Sequence, residues 1–186
     1  MPDDARRARD LALLDAIDAF KREALDAAIV WRVVRGNRDP LLGGPSRSRW
    51  CNGSYDVLYT SLARDGAIAE IHALLSLQPV FPSKDRWFVH QLKVFASQTL
   101  RLADLPTLER LGVDIARYRE RDYRRTQEIG DAAFFLGFDG LIAPNARWDC
   151  PNLVLFTERV PERQVELVET DAEPIAWDEW RKRVKR

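Results

Sequence analysis

Three polar residues between positions 49 and 70 have more chemical capacity than their local structure requires: Arg49, Tyr59 and Glu70. Arg49 ends the run GGPSRSR that starts at Gly43. Its planar fork of donors suits a phosphate or carboxylate, and loop glycines let backbone approach an anion closely. Tyr59 stands at the end of the apolar run Tyr55–Thr60 and offers a flat ring with a hydroxyl. Glu70 lies on a helix predicted over 63–77, at the edge of the stripe Ala67, Ile68, Ile71, Leu74 and Leu75. A carboxylate there loses water unless a partner or substrate meets it. A surface ion pair, a core tyrosine and a snorkelling glutamate are the structural alternatives for the same three residues. Arg32, inside the β-branched run IVWRVV, poses the same choice between an outward-facing charge and an anion clamp.

The chain has 186 residues, 46% of them apolar and 31% charged, the balance of one soluble globular domain. Its 29 basic and 29 acidic side chains leave no net charge, which argues against direct nucleic-acid binding. Cys51, Cys150, His72 and His90 fit no metal-ligand spacing, so no metal is expected. No apolar run approaches the ~18 residues of a membrane span, and the charged N-terminus does not resemble a signal peptide. A reduced, cytoplasmic protein is the expectation.

Periodicity predicts the elements that hold these residues. Leu11, Leu14, Ile17, Phe20, Ala24 and Ala28 predict an amphipathic N-terminal helix over 5–28, followed by one domain over 29–186. Strands are expected at 29–34, 55–60, 87–96, 140–144, 152–157 and 164–169, the last at an edge. Residues 35–54 read as a long loop, and Ser61 as the N-cap of the 63–77 helix. A short helix starts at Pro106, a polar helix runs through 116–137, and 176–184 forms a terminal amphipathic helix. Strands and helices mix without strict alternation, which predicts an α+β fold with mixed or antiparallel sheets and flanking helices.

At this point the residues resemble a family. Arg49-Trp-x-Asn-Gly-x4-Leu-Tyr-Thr-Ser61, with Glu70 eleven residues after Tyr59, is similar to the RES domain, named for its Arg, Glu and Ser. Gln127-Glu-Ile-Gly-Asp-Ala-Ala-Phe-Phe, Gly140-Leu-Ile-Ala-Pro and Asn152-Leu-Val-Leu-Phe continue the resemblance in order, so that it covers about residues 30–157. Two positions depart from the pattern: Ser48 stands where the family has Gly, and Asn145 where it commonly has Ser. The resemblance implies a toxin of a bacterial toxin–antitoxin pair with a fold like the diphtheria-toxin-type ADP-ribosyltransferases. It implies NAD+ as substrate and a helix-turn-helix antitoxin that covers the active site. Glu70, Tyr59 and Arg49 would be catalytic, and Arg32, Arg49, Tyr59 and Asn145 would bind the dinucleotide.

The chemistry suits those residue types. Nicotinamide leaves NAD+ as a neutral base, so no general acid is needed and one carboxylate suffices, unlike the pair used on O-glycosides. Glu70 can stabilise the oxocarbenium-like ribosyl cation and bond its 2′-hydroxyl, Tyr59 can stack on nicotinamide, and the arginines can hold the pyrophosphate. No GxGxxG run is present. The acceptor stays open between water, phosphate and a protein target. A non-catalytic partner-binding module is the alternative from another class. An RNA-cleaving toxin is disfavoured by the neutral charge and the lack of a histidine pair.

Overall fold

A computed structural model describes residues 9–102 and 104–184. Helix α1 (Leu11–Asp18) precedes strands β1 (Arg22–Arg35), β2 (Gly44–Ser48) and β3 (Cys51–Ser61). Helix α2 (Arg64–Leu75) leads to β4 (Trp87–Arg101), then α3 (Leu105–Arg110) and α4 (Arg124–Phe135). Strands β5 (Gly140–Pro144), β6 (Pro151–Phe156) and β7 (Val165–Thr170) precede α5 (Trp177–Val184). This is the expected mixture of one sheet system and flanking helices.

The strands run in the order β1-β3-β6-β5-β4-β7, and β1 also pairs with β4. That extra pairing closes five strands on themselves, leaving β2 on β3 and β7 on β4 as edges. All pairings are antiparallel except β4–β5. Val30, Leu58, Leu92, Val94, Ile142, Leu153 and Leu155 form one fully buried cluster contributed by all five closed strands. A second cluster packs Trp50, Tyr55 and Val57 against α1, α3 and α4, and a third joins α2 to Trp177 and Trp180 of α5. Among the described residues, no helix is long and apolar enough to cross a membrane.

Several local expectations are corrected. The N-terminal helix ends at Asp18, and residues 22–28 are strand, so β1 runs unbroken through 28 and 29; residues 5–8 of the predicted helix lie outside the described region. Ala and Glu in this stretch favour helix locally, but pairing with β4, from Arg22↔Leu100 onward, overrides propensity. The irregular register near Leu25 and the positive φ of Ala27 mask the two-residue period. The 35–54 loop contains β2 and the start of β3, joined at Arg49–Trp50. β2 reads GPSRS, an edge with no apolar alternation to betray it. Residues 116–123 are not helical, and α4 begins at Arg124. Ser61 closes β3 rather than capping α2; the cap is Ala63, whose N–H reaches the Ser61 hydroxyl at 3.4 Å. Asp104 and Pro106 do start α3, with the Asp104 carboxylate accepting the Thr107 N–H at 2.8 Å.

Helix α4 presses so closely on the β2–β3 turn that a Cβ at Gly130 would run into the Trp50 carbonyl oxygen and sit 2.8 Å from the Tyr55 hydroxyl. Helix propensity alone favours Ala over Gly by about 1 kcal/mol. Collision with backbone outweighs it, since overpacking costs about 1–3 kcal/mol and a carbonyl cannot rotate away. Gly130→Ala is expected to lower Tm by roughly 2–8 °C. Gly44→Ala, where nothing lies within 4 Å, is the control and leaves the melt unchanged.

Both histidines are held below their ordinary pKa of 6.5, His90 by burial and then the Arg32 charge, His72 by burial and then Arg181. Asp171 and Asp39 oppose the effect at His90. The folded state therefore prefers the neutral rings. Their contribution is present above pH 6.5 and is lost as pH falls from there through the depressed folded values. Urea midpoints between pH 7.5 and 5 are expected to fall, and the fall to shrink in a His72→Gln/His90→Gln variant.

Candidate active site

The turn between β2 and β3 is held from three sides. The Tyr59 hydroxyl accepts the Trp50 N–H at 2.8 Å and the Ser48 hydroxyl at 2.9 Å. The Tyr55 hydroxyl donates to the Trp50 carbonyl at 2.7 Å. The Gln127 amide, one turn into α4, donates to the Ser48 carbonyl at 2.8 Å and the Cys51 carbonyl at 3.1 Å. With Trp50 driven into the core, Arg49 is presented in a fixed place. Ser48 supplies a hydroxyl to this clamp.

The Arg49 guanidinium lies over two rings, 4.4 Å from the Tyr118 centroid and 4.8 Å from that of Tyr123. Such stacking contributes about 0.5–2 kcal/mol. Arg49 spends one donor, from Nη2 to the Glu120 carbonyl at 3.3 Å. The remaining fork is available to an anion. Tyr118 is itself fixed by donating to the Pro144 carbonyl at 2.6 Å. Arg49 and Tyr118 also line a cavity of about 200 Å³ with Arg117, Arg124 and Thr126. Glu70 and Tyr59 are not among its walls, so this cavity lies to one side of the carboxylate.

Glu70 is half-buried on α2, and its Oε1 accepts the Asn152 side-chain amide at 3.3 Å. Its charge, together with burial as the leading cause, pushes the Tyr59, Tyr118 and Cys150 groups above their ordinary pKa values. The Arg49 charge pulls Tyr118 the other way. A chain of contacts links these groups: the Tyr59 hydroxyl bonds the residue after Arg49, Arg49 lies over Tyr118, Tyr118 bonds the Pro144 carbonyl, and Asn145, the next residue, bonds Asn152, which bonds Glu70.

The other two expected binding residues are placed differently. The Arg32 Nη1 donates to the Pro40 carbonyl at 2.8 Å and the Leu42 carbonyl at 3.0 Å. Burial, then the Arg38 charge, pulls its pKa down to about 10. It tethers the segment between β1 and β2, and among the described hydrogen bonds none joins it to Arg49, Tyr59 or Glu70. Asn145 is 8% exposed and has all four of its hydrogen-bonding positions engaged. Its oxygen accepts the N–H groups of Arg147 and Trp148, and its amide donates to the Gly66 carbonyl and to Asn152 Oδ1. Where a contact to the dinucleotide was expected, the side chain is bonded to the protein itself.

Asn152, Tyr118, Tyr123 and Gln127 belong to this neighbourhood without having been singled out as site residues by the sequence. Asn152 carried one faint signal, an amide opening the buried run NLVLF where alternation gives no reason for a polar residue. Tyr118 and Tyr123 sat in a stretch so charged that it read only as the start of a polar helix. Among the described residues no group of three or more His, Cys, Asp or Glu side chains could hold a metal ion.

Removing the Tyr59 hydroxyl while keeping its ring strands the Trp50 N–H and the Ser48 hydroxyl. An unsatisfied buried donor costs about 1–3 kcal/mol. Tyr59→Phe is expected to lose that much in urea unfolding although the ring still packs, and a loss under ~0.3 kcal/mol contradicts the clamp.

Comparisons with known proteins agree with this fold. The fold is similar to that in the "Crystal structure of the M.tuberculosis MbcT-MbcA toxin-antitoxin complex", with a TM-score of 0.78 and 19% identity over 93% of this chain and 97% of that one. A comparison with curated proteins gave no match. The RES domain matches residues 29–178, the part of the chain that holds the closed strands apart from the start of β1, and with them the Arg49 turn, Glu70 and Asn152. With that match over most of its length, the chain belongs to the RES-domain family.

Proposed function

We propose that this protein is the toxin of a toxin–antitoxin pair and that it cleaves the nicotinamide–ribose bond of NAD+. The observation that carries the reading is the Glu70 carboxylate, half-buried on α2 and accepting the Asn152 amide, together with the Arg49 guanidinium held over the Tyr118 and Tyr123 rings. Membership of the RES-domain family and a fold shared with a toxin from a toxin–antitoxin complex support it.

The chain's own groups divide the work as follows. The free part of the Arg49 fork binds the pyrophosphate, and its cation–π contacts fix the plane of that fork. An aromatic face near Glu70 stacks on the nicotinamide ring. As the neutral base departs, positive charge grows on the ribosyl carbon, and Glu70 meets it with a fixed negative charge in a partly dry site. Glu70 Oε2, which has no partner among the described contacts, bonds the 2′-hydroxyl. No proton has to be delivered to the leaving group. Neither neighbour of Glu70 along its helix face is a second carboxylate, since Gly66, Ala67, Ala73 and Leu74 occupy those places. Activation of the acceptor, whether water, phosphate or a protein side chain, therefore comes from outside this helix.

An antitoxin is the expected partner. Beyond Glu70, α2 leads into Leu74, Leu77 and Val80, which are 49%, 59% and 80% exposed, an apolar strip next to the site that a partner would cover. A cytoplasmic location follows from a substrate and a partner of that kind.

Purified protein incubated with NAD+, with and without phosphate and cell extract, is expected to release nicotinamide. Glu70→Gln is nearly isosteric and keeps the fold, but removes the charge. It is expected to retain its Tm and lose about 10²–10³ in turnover. A folded Glu70→Gln protein with more than roughly a third of wild-type turnover would overturn the assignment, because such a loss corresponds to under ~1 kcal/mol. Absence of release by the wild type under every condition would leave a non-catalytic partner-binding module.

A further inference from the structure

The orientation of the Asn152 amide is dictated by backbone two residues removed from it in the bonding chain. Two N–H groups, those of Arg147 at 2.6 Å and Trp148 at 3.0 Å, point at the same atom of Asn145, so that atom must be the oxygen. The Asn145 NH2 therefore faces the other way, toward the Gly66 carbonyl at 3.4 Å and Asn152 at 2.8 Å. A donor facing Asn152 requires the Asn152 oxygen there, which leaves the Asn152 NH2 to face Glu70 Oε1 at 3.3 Å. Each assignment forces the next. The turn 145–148 thus decides that a donor, not an acceptor, meets the carboxylate.

This arrangement is rigid. Asn152 is 6% exposed and sits on β6 between two partners, in register with Ser61 of β3 and Ala143 of β5. Helix α2 lies so close to these strands that a Cβ at Gly66 would collide with the Cys150 sulfur and the Ser61 hydroxyl. Glu70 follows Gly66 by one turn on the same helix. The strand side fixes the amide, the helix side fixes the carboxylate, and one hydrogen bond joins them.

We propose that Asn152, oriented by Asn145, is the positioning residue that holds Glu70 in its working rotamer. It binds Oε1 and leaves Oε2 directed at the substrate. In this chain the asparagine at 145 acts only through Asn152, because its own four bonds are spent. The proposal rests on Glu70 being the charged group of the reaction, and on nothing about the acceptor.

Two measurements separate positioning from simple support of the fold. Asn152→Ala, assayed well below its Tm and normalised to folded protein, is expected to lose about 10- to 100-fold in kcat, the scale for a reacting group displaced by about 1 Å. KM for NAD+ is expected to stay within about threefold, since Arg49 and the aromatic faces still bind; a purely structural Asn152 lowers Tm and leaves kcat per folded molecule unchanged. That latter result would overturn the proposal. The second measurement needs no activity and so stands apart from the proposed reaction. Asn152→Asp sets a carboxylate against Glu70 and is expected to lower Tm at pH 7, whereas adding Glu70→Gln restores a donor–acceptor pair with the roles exchanged. Recovery of at least half of the lost Tm supports the contact. No recovery means that Asn152 and Glu70 do not meet, which would also overturn it.

Discussion

Everything in this fold depends on the pairing of β1 with β4. The two longest strands run antiparallel from Arg22↔Leu100 to Arg35↔Trp87, and their union turns an open sheet into a closed one. Closure makes an interior that no single strand could bury, filled by Val30, Leu58, Leu92, Val94, Ile142, Leu153 and Leu155. It also sets where the remaining pieces go. With β1 and β4 committed to each other, β3, β6 and β5 must complete the ring. Asn152 then lies next to Ser61, and α2, following Ser61 directly, crosses over the same strand ends.

The site has three parts of different rigidity. The Arg49 turn is the most constrained, because its backbone groups are bonded by Tyr55, Tyr59 and Gln127 and its tryptophan is buried. Glu70 is fixed through one amide that is fixed in turn by backbone. The 116–123 segment, which brings Tyr118 and Tyr123 to Arg49, is anchored by fewer bonds, chiefly Tyr118 to Pro144 and Arg121 to the Ala73 carbonyl. A cation stacked between two rings in this segment can trade ring contacts for a phosphate without rebuilding the core. Binding and catalysis are thus assigned to groups with different freedom: Arg49 keeps spare donors, while Glu70 has a fixed partner.

The fold class, most strand cores and the residues with spare chemical capacity are legible along the chain. Apolar runs such as Leu58, Val94 and Leu153–Phe156 are buried whatever the topology, and the resemblance read around Arg49, Tyr59 and Glu70 lies within the stretch that matches the family. Which polar residues stay free depends on contacts that exist in the folded chain alone. Arg32 and Asn145 have the right chemistry for a ligand, yet Arg32 is tied to the carbonyls of Pro40 and Leu42, and Asn145 to four partners. Residues 22–28 look helical until β4 supplies seventy-residue-distant pairing, and β2 has no pattern until β3 lies beside it. The physical reason is common to all of these. Burial of an apolar side chain is a property of that side chain, and its period is written along the chain. Satisfaction of a hydrogen bond is a property of a pair, and the second member, whether the Trp148 N–H or the Leu42 carbonyl, is brought into place only by the folded chain.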